Sequence, residues 1–195
     1  MPNTTISHKP TYQHDKIPNF KFALREDLQD TGDLFLPTRA TPKATGWDVR
    51  AATENRQPLV IKAGEYVKIP LGFRVVVPEG WWYELKPRSS SFTKKNLHAL
   101  YGTIDSDFEN EALFACQYIP NLVVQSFGDD SYSSIMRVKN KLESIKIKFG
   151  EAIGQIIPVR RQEMNVEIIS NNDCDELYAI RGDKRGLGGF GSTSK

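Results

Sequence analysis

The chain has 195 residues, of which 39% are hydrophobic and 26% are charged, and its 26 basic and 24 acidic residues leave a net charge of +2. This profile is typical of an ordinary globular domain with enough chain to bury a core, and it excludes wholesale disorder. The balanced charge argues against a nucleic-acid coat or a membrane-surface binder, and no apolar run approaches the roughly 20 residues of a membrane span.

The ends and the cysteines of the chain indicate its compartment. No apolar stretch follows a basic start, so no secretory signal is visible. Cys116 and Cys174 lack the spacing of a zinc site or a disulfide framework. We therefore expect two reduced thiols in a soluble, intracellular, cytoplasmic protein that binds neither membranes nor nucleic acid.

The sequence predicts a flexible amino-terminal arm that is followed by strands. Residues 1–18 are polar and aperiodic, which predicts a loose amino-terminal arm. From Phe20 onward, short runs rich in β-branched and aromatic residues alternate with Gly, Pro and Asn, as in an all-β sandwich or barrel. The predicted strands, including those of the second half, are residues 59–61, 66–69, 73–77, 81–85, 145–149, 153–159 and 166–169.

The remaining segments interrupt the strand rhythm. One short helix is predicted within residues 89–100, and a second within residues 131–142. Residues 121–141 are polar and irregular, and long loops of this kind are usually functional, disordered or inserted. The glycine-rich residues 181–195 cannot hold a fold of their own, which favours a segment that orders over a ligand. These features predict one β domain over residues 19–180 between two arms.

The carboxyl-terminal arm carries the most specific pattern, Arg-Gly-Leu-Gly-Gly-Phe-Gly-Ser-Thr. Glycine N–H groups approach phosphates closely, hydroxyls add donors, and an arginine fork matches phosphate oxygens. An aromatic ring between them can stack on a base, which is worth about 1–3 kcal/mol. The pattern fits a nucleotide clamp and a disordered low-complexity end about equally well. The candidate clamp residues are Arg185, Phe190, Ser192 and Thr193.

Two internal segments carry candidate phosphate or metal ligands. Arg88, Ser89 and Ser90 follow a strand and precede the short helix, a position that suits an anion cradle but also an ordinary helix cap. Asp105 and Asp107 are two apart, so on a strand they would share one face and hold a metal or act as a base. The alternative for the aspartates is a turn with solvated acids.

Two further segments are ambiguous when taken singly. Asp48 lies in Ala-Thr-Gly-Trp-Asp-Val, which also fits a glycine turn with a local Asx hydrogen bond. Gln155 lies among apolar residues, where it needs a hydrogen-bond partner if buried.

The order of the segments is more informative than any one of them. Five segments resemble, in order, the five motifs of the trimeric dUTPase family: Ala-Thr-Gly-Trp-Asp-Val, Pro-Arg-Ser-Ser-Ser, Gly-Thr-Ile-Asp-Ser-Asp-Phe, Gly-Glu-Ala-Ile-Gly-Gln-Ile-Ile-Pro and the arm. The resemblance covers about residues 35–119 and 144–193. It implies a β jelly-roll homotrimer with each site built from three subunits. It also implies hydrolysis of dUTP to dUMP and pyrophosphate, which keeps uracil out of DNA and supplies dUMP for dTMP synthesis.

The resemblance also implies a role for each residue. Asp105 would be the general base that activates a water for attack on the α-phosphorus. Mg²⁺ would be held mainly by the triphosphate, with Asp48 reaching it through a water. The other implied substrate contacts are Arg88, Ser89, Ser90 and Gln155 for phosphate oxygens, Gly102 and Phe190 for uracil, Phe108 for deoxyribose, Gly191 within the arm, and Arg185, Ser192 and Thr193 for the γ end.

The chain departs from the family pattern at a few positions. Phe108 and Trp47 stand where Tyr is usual, and Asn110 replaces a usual Gly. Residues 121–141 look like an insertion at a place where some phage-encoded members carry one, which suggests a bacteriophage origin. The insertion is either a solvated loop or a surface for a protein partner or regulation.

Two rival functions use the same fold. The related dCTP deaminases often carry a bulky aromatic at the position of Phe108. That family has a catalytic Glu where this chain has Ala115 and an Arg where it has Thr93, and the Phe-Gly-Ser-Thr arm also favours the pyrophosphatase. A non-catalytic nucleotide sensor is the second rival, and the intact Asp105 and Arg88 argue against it.

Overall fold

A computed structural model describes residues 17–120 and 144–182, together with the backbone of Val123–Gln125 and Arg137–Lys139. Within these residues the chain forms thirteen strands, which pair antiparallel, and two α-helices. The chain divides after Arg161 into two compact units, residues 1–161 and 162–195. The strands all lie in the first unit, so the predicted all-β fold class is confirmed.

The strands of the first unit form several small sheets. In chain order they are β1 (Lys21–Leu24), β2 (Trp47–Arg50), β3 (Leu59–Lys62), β4 (Tyr66–Pro70), β5 (Phe73–Val76), β6 (Trp81–Pro87), β7 (Leu97–Ala99), β8 (Gly102–Ile104), β9 (Leu113–Tyr118), β10 (Val123–Gln125), β11 (Arg137–Lys139), β12 (Ser144–Ile147) and β13 (Ala152–Arg160). One sheet has four strands in the order β2-β13-β6-β8, and another has three in the order β4-β9-β7. The pairs β1-β5, β3-β12 and β10-β11 complete the set.

Helical segments are few among the described residues. They are the 3-10 segments Glu26–Phe35 and Glu54–Arg56, the single-turn helix α1 (Ser89–Thr93) and the longer helix α2 (Asn171–Arg181). Among the described residues, no helix combines the length and apolarity that crossing a membrane requires.

Alternating apolar side chains build one main core in the first unit. In β5, Phe73 and Val75 are buried, whereas Arg74 and Val76 face solvent, as the period of two predicts. Phe22 of β1 meets Phe73 edge to face, with ring centroids 5.4 Å apart. Full burial of a side chain of this size contributes about 1.5–3 kcal/mol, so the core fixes the register of the strands that line it.

Most strand predictions are confirmed, and so is the short helix within residues 89–100, which is α1. Strand β12 ends at Ile147, earlier than expected, because the chain turns at Gly150 with φ +73°. The confirmed strand predictions are residues 59–61, 66–69, 73–77, 81–85 and 153–159.

Two predictions are wrong. Residues 166–169 form no strand, and they pair with no strand in the part of the chain that the structure describes. The second helix, predicted within residues 131–142, is contradicted at Arg137–Lys139, which form β11 opposite β10. The other residues of that predicted helix lie outside the described part of the chain.

The second unit is described from residue 162 to Gly182, and its helix α2 was not predicted. Ser170 Oγ accepts a hydrogen bond from the Asp173 N–H at 3.1 Å, and the Asp173 carboxylate accepts one from the Ser170 N–H at 3.2 Å. Gly182 ends the helix in the left-handed conformation, with φ +67°. This helix therefore owes its limits to local caps rather than to an apolar face.

Candidate active site

An ion pair joins the ends of two strands in the four-stranded sheet. Arg88 follows β6, Asp48 lies in β2, and β13 runs between these strands. Arg88 Nη1 lies 2.8 Å from Asp48 Oδ2, with side chains that are 34% and 14% exposed. The Arg88 N–H also donates to the Ile153 carbonyl at 3.2 Å. Because a guanidinium has five donors, the pair orients Arg88 and leaves donors for a phosphate.

Gln155 lies beside this ion pair, and its carboxamide explains why residue 46 is a glycine. Gln155 and Asp48 are register partners across β13 and β2. A methyl group on Gly46 would lie 2.1 Å from Gln155 Oε1 and 2.7 Å from its Cδ. Gly46 therefore makes room for the carboxamide, and Asp48 belongs to a strand rather than to the glycine turn that we considered from the sequence.

Ser89 and Ser90 open α1, which is anchored to β13. Ser91 is buried and donates through Oγ to the Ile153 carbonyl at 2.6 Å. Arg88 is the N-cap residue and makes no side-chain cap hydrogen bond to any described residue. Ser89 is exposed and Ser90 is half-buried. The anchor thus holds both serines next to the Arg88 guanidinium.

A polar cleft of about 230 Å³ opens beside α1. Two of its cations are already paired: Arg88 contacts Asp48, and Lys95 Nζ lies 2.6 Å from Glu151 Oε1. The lining holds three cations and one carboxylate, so the cleft suits an anion. The lining residues are Arg88, Ser90, Ser91, Lys94, Lys95, Glu151 and Ala152.

Asp105 and Phe108 lie in a turn beyond β8. The strand ends at Ile104, and the Phe108 N–H donates to the Asp105 carbonyl at 3.2 Å. Both side chains are exposed. Of the two alternatives for Asp105 and Asp107, the structure has the turn with exposed carboxylates, because the chain has already left the sheet.

The register of β6 and β8 separates Asp105 from Arg88. Gly102 pairs with Leu85, and the strands run antiparallel. Arg88 lies three residues beyond Leu85 in one direction, and Asp105 lies three beyond Gly102 in the other. At about 3.3 Å per residue, the two lie roughly 20 Å apart along the strands. One copy brings together Asp48, Arg88, Ser89, Ser90 and Gln155 but holds Asp105 and Phe108 away from them.

The carboxylates near Arg88 offer little to a metal ion on their own. No three His, Cys, Asp or Glu side chains gather into a metal site among the described residues. Asp48 supplies a single hard-oxygen group, and Mg²⁺ typically keeps several waters and is bound through one or two carboxylates and substrate phosphates. The described residues therefore fit an Mg²⁺ ion carried mainly by a phosphate ligand, and they do not fit a cage built by the protein.

Burial removes two further groups from consideration as reactive groups. It raises the pKa of the Cys116 thiol to about 12 and that of the Tyr83 phenol to about 12, so both stay protonated near neutral pH. Cys116 and Cys174 are both free thiols in this structure.

Several site residues lie beyond what the structure describes, and others were missed. Arg185, Phe190, Gly191, Ser192 and Thr193 lie outside the described residues. Sequence reasoning overlooked Lys94, Lys95 and Glu151. The four-residue spacing of Ser90 and Lys94, which places them on one helix face, was the available signal for Lys94.

Comparison with known proteins assigns the family. The chain is 36% identical over 141 residues to the deoxyuridine 5'-triphosphate nucleotidohydrolase of Aquifex aeolicus, a match that covers 70% of this chain and 79% of that protein. The chain belongs to the deoxyuridine 5'-triphosphate nucleotidohydrolase (dUTPase) family. It is also 28% identical to the Rhizobium leguminosarum dUTPase over 185 residues, covering 94% of this chain and 98% of the relative. No protein-family model matches the chain.

Solved dUTPase structures share the fold. A point mutant of the dUTPase from phage 80alpha superposes with a TM-score of 0.64 at 20% identity, covering 90% of this chain and 98% of its own. The Streptococcus mutans dUTPase gives a TM-score of 0.56 at 22% identity, covering 74% and 98%. These matches confirm the predicted jelly-roll fold, and the phage structures among the neighbours are consistent with a phage origin. The dUTPase of phage phi11 is described with a structural Mg(II) ion and with a species-specific insert.

Proposed function

We propose that this dUTPase-family chain hydrolyses dUTP to dUMP and pyrophosphate with Mg²⁺, as a homotrimer whose sites each combine residues from three copies. Family membership supports the reaction. The separation of roughly 20 Å between Asp105 and Arg88 along β6 and β8 supports the shared site, because one substrate phosphate cannot meet both residues of one copy.

The proposed chemistry is a displacement at the α-phosphorus. Asp105 takes a proton from a water as the water oxygen bonds to the α-phosphorus. The bond from that phosphorus to the α–β bridging oxygen then breaks, and pyrophosphate leaves. The exposed position of Asp105 on a turn suits a base that serves the substrate of a neighbouring copy.

The phosphate end of the site supplies positioning and positive charge. Arg88, Ser89 and Ser90 bind phosphate oxygens, and Gln155 contacts the region of the α-phosphate. Asp48 holds the guanidinium of Arg88 in place through the 2.8 Å ion pair. Mg²⁺ carried by the triphosphate would supply charge neutralisation, and Asp48 would help to hold it through a water. Much of the rate then comes from positioning and electrostatics.

Base and sugar selection follow from backbone groups and ring packing. Backbone N–H and C=O groups around Gly102 match the O4, N3–H and O2 edge of uracil. The amino group of cytosine would face donors instead, and such unpaired buried groups are costly. Phe108 packs on the deoxyribose and leaves no room for a 2′-hydroxyl. From the arm, Phe190 stacks on uracil beside Gly191, while Arg185, Ser192 and Thr193 bind the γ end.

Exposed apolar residues of the second unit support association of copies. Met164, Val166 and Ile168 are 84%, 82% and 97% exposed within the described chain. The three lie in a segment without helix or strand, and exposed apolar side chains of this kind are expected to be covered by another copy. Three expectations stay predictions. They are a protein partner for residues 121–141, cytoplasmic localisation, and a single β domain that spans residues 19–180.

Mixing two inactive variants tests the shared site directly. Asp105→Asn and Arg88→Gln should each abolish most dUTP turnover. Trimers assembled from an equal mixture should recover roughly a quarter of the parent activity, because some sites receive an intact Asp105 and an intact Arg88 from different copies. In the control, one of the two single variants is replaced by the double variant Asp105→Asn/Arg88→Gln, and the mixture should recover no activity. A mixture that stays as inactive as its components would place both residues in the site of one copy.

Gly46→Ala should lower kcat/KM for dUTP by about tenfold or more while the trimer stays folded, because the added methyl group displaces the Gln155 carboxamide. Gln155→Ala should cause a similar loss. The double variant should be no worse than the more damaged single variant, since both act through one contact. Fully additive losses would show that Gly46 acts independently of Gln155.

A further inference from the structure

The polar cleft beside α1 contains one cation, Lys94, that has no role in the proposed function and no carboxylate partner among the described residues. Among its three cations, Arg88 is paired with Asp48 and Lys95 with Glu151, at 2.8 and 2.6 Å. Lys94 lines the same cleft, is exposed, and has no carboxylate partner in the part of the chain that the structure describes. Its charge is therefore left for a ligand.

The local fold places Lys94 beside a hydroxyl group. The Lys94 N–H donates to the Ser90 carbonyl at 3.0 Å, which completes the turn of α1. Residues four apart on a helix lie on the same face, so the Ser90 hydroxyl and the Lys94 ammonium line one wall of the cleft. The neighbouring Ser91 and Lys95 are already bound to Ile153 and to Glu151, respectively. Ser91 and Lys95, anchored in this way, hold the wall of the cleft in position.

We infer that Lys94 and Ser90 bind the terminal phosphate of the nucleotide, an inference that rests on the proposed function and adds Lys94 to it. Arg88 lines the cleft on the side of the Asp48 ion pair and binds the inner phosphates. A triphosphate that runs from Arg88 into the cleft meets Ser90 and then Lys94. A flexible ammonium group with three donors suits the end of such a chain, where the phosphate is most mobile.

The test measures binding of inorganic pyrophosphate by calorimetry to the parent protein, Lys94→Gln and Lys68→Gln. Lys68 is an exposed lysine of β4, so its replacement matches the change in charge outside the cleft. We expect Lys94→Gln to weaken pyrophosphate binding by about tenfold, the loss of one charge-assisted hydrogen bond. Lys68→Gln should leave it unchanged, and Lys94→Arg should recover most of the affinity.

Binding of dUMP separates a phosphate contact from a structural role. This product lacks the terminal phosphates, so Lys94→Gln should bind it like the parent, and equal weakening for dUMP and pyrophosphate would overturn the inference. Pyrophosphate affinity that is the same in Lys94→Gln and Lys68→Gln, or undetectable in the parent, would also overturn it. Failure of the proposed function would instead appear as a parent protein that binds pyrophosphate but does not turn over dUTP.

Discussion

Asp105→Asn should reduce dUTP turnover by about a hundredfold to ten-thousandfold, the range expected for the loss of a general base. An amide of the same shape cannot take the proton of the attacking water. Binding of dUTP should persist, because the phosphate contacts at Arg88, Ser89 and Ser90 are untouched. Asp105 is exposed on a turn, so thermal stability should not change. Single-turnover hydrolysis and equilibrium binding of dUTP measure the two effects separately.

Asp107→Asn is the matched control for this experiment. Asp107 lies in the same exposed turn as Asp105, and the substitution removes the same charge. It should retain nearly the whole parent rate. Undiminished turnover in Asp105→Asn, or equal losses in the two variants, would remove Asp105 from the role of base.

A chain that ends at Lys184 should remain a folded trimer and lose at least about a hundredfold in kcat/KM for dUTP. The deletion removes the proposed stacking ring of Phe190, worth about 1–3 kcal/mol, together with the phosphate donors Arg185, Ser192 and Thr193. Helix α2 ends before the cut, so its caps stay intact. Light scattering checks the trimer, and steady-state kinetics check the activity.

A shorter deletion is the control for loss of the chain end itself. A chain that ends at Thr193 keeps all the proposed contacts and should turn over dUTP like the parent. Normal activity of the chain that ends at Lys184 would show that the arm is not a clamp. A monomer in either case would undermine the proposal of a site shared between copies.

Features that depend on local pattern were readable from the sequence. The run Phe73–Val76, rich in aromatic and β-branched residues, predicts β5, and its side chains alternate between core and solvent. The five ordered segments indicate the family. The short helix α1 follows from Pro87 and the run of serines behind it.

Features that depend on distant pairing were not readable. Register partners Asp48 and Gln155 are more than a hundred residues apart in the chain, and only the assembled sheet places them side by side. The spacing of Asp105 and Asp107 fits a strand, yet the pairing of β8 with β6 ends at Ile104. Residues 166–169 have the composition of a strand, but within the described chain they have no strand to pair with.

Helix α2 and the role of Lys94 were missed for a different reason. The signals for α2 are its caps, Ser170, Asp173 and Gly182, whereas its polar interior gives no clear apolar period. Lys94 resembles any exposed lysine until α1 is anchored and the cleft beside it is formed. Helix caps and local contacts determine both features, and neither composition nor the alternation of apolar residues reveals them.

The proposed function is tested most directly by pyrophosphate release with Mg²⁺ from dUTP, dCTP, dTTP and UTP, measured side by side on the full chain. We expect rapid release from dUTP and little from the other three, which would also show that Phe108 preserves the selection of deoxyribose. Absence of release from dUTP would contradict the proposed function. Release of ammonia from dCTP would then indicate the related deaminase chemistry. If no nucleotide gave either pyrophosphate or ammonia, the chain would be a binding protein.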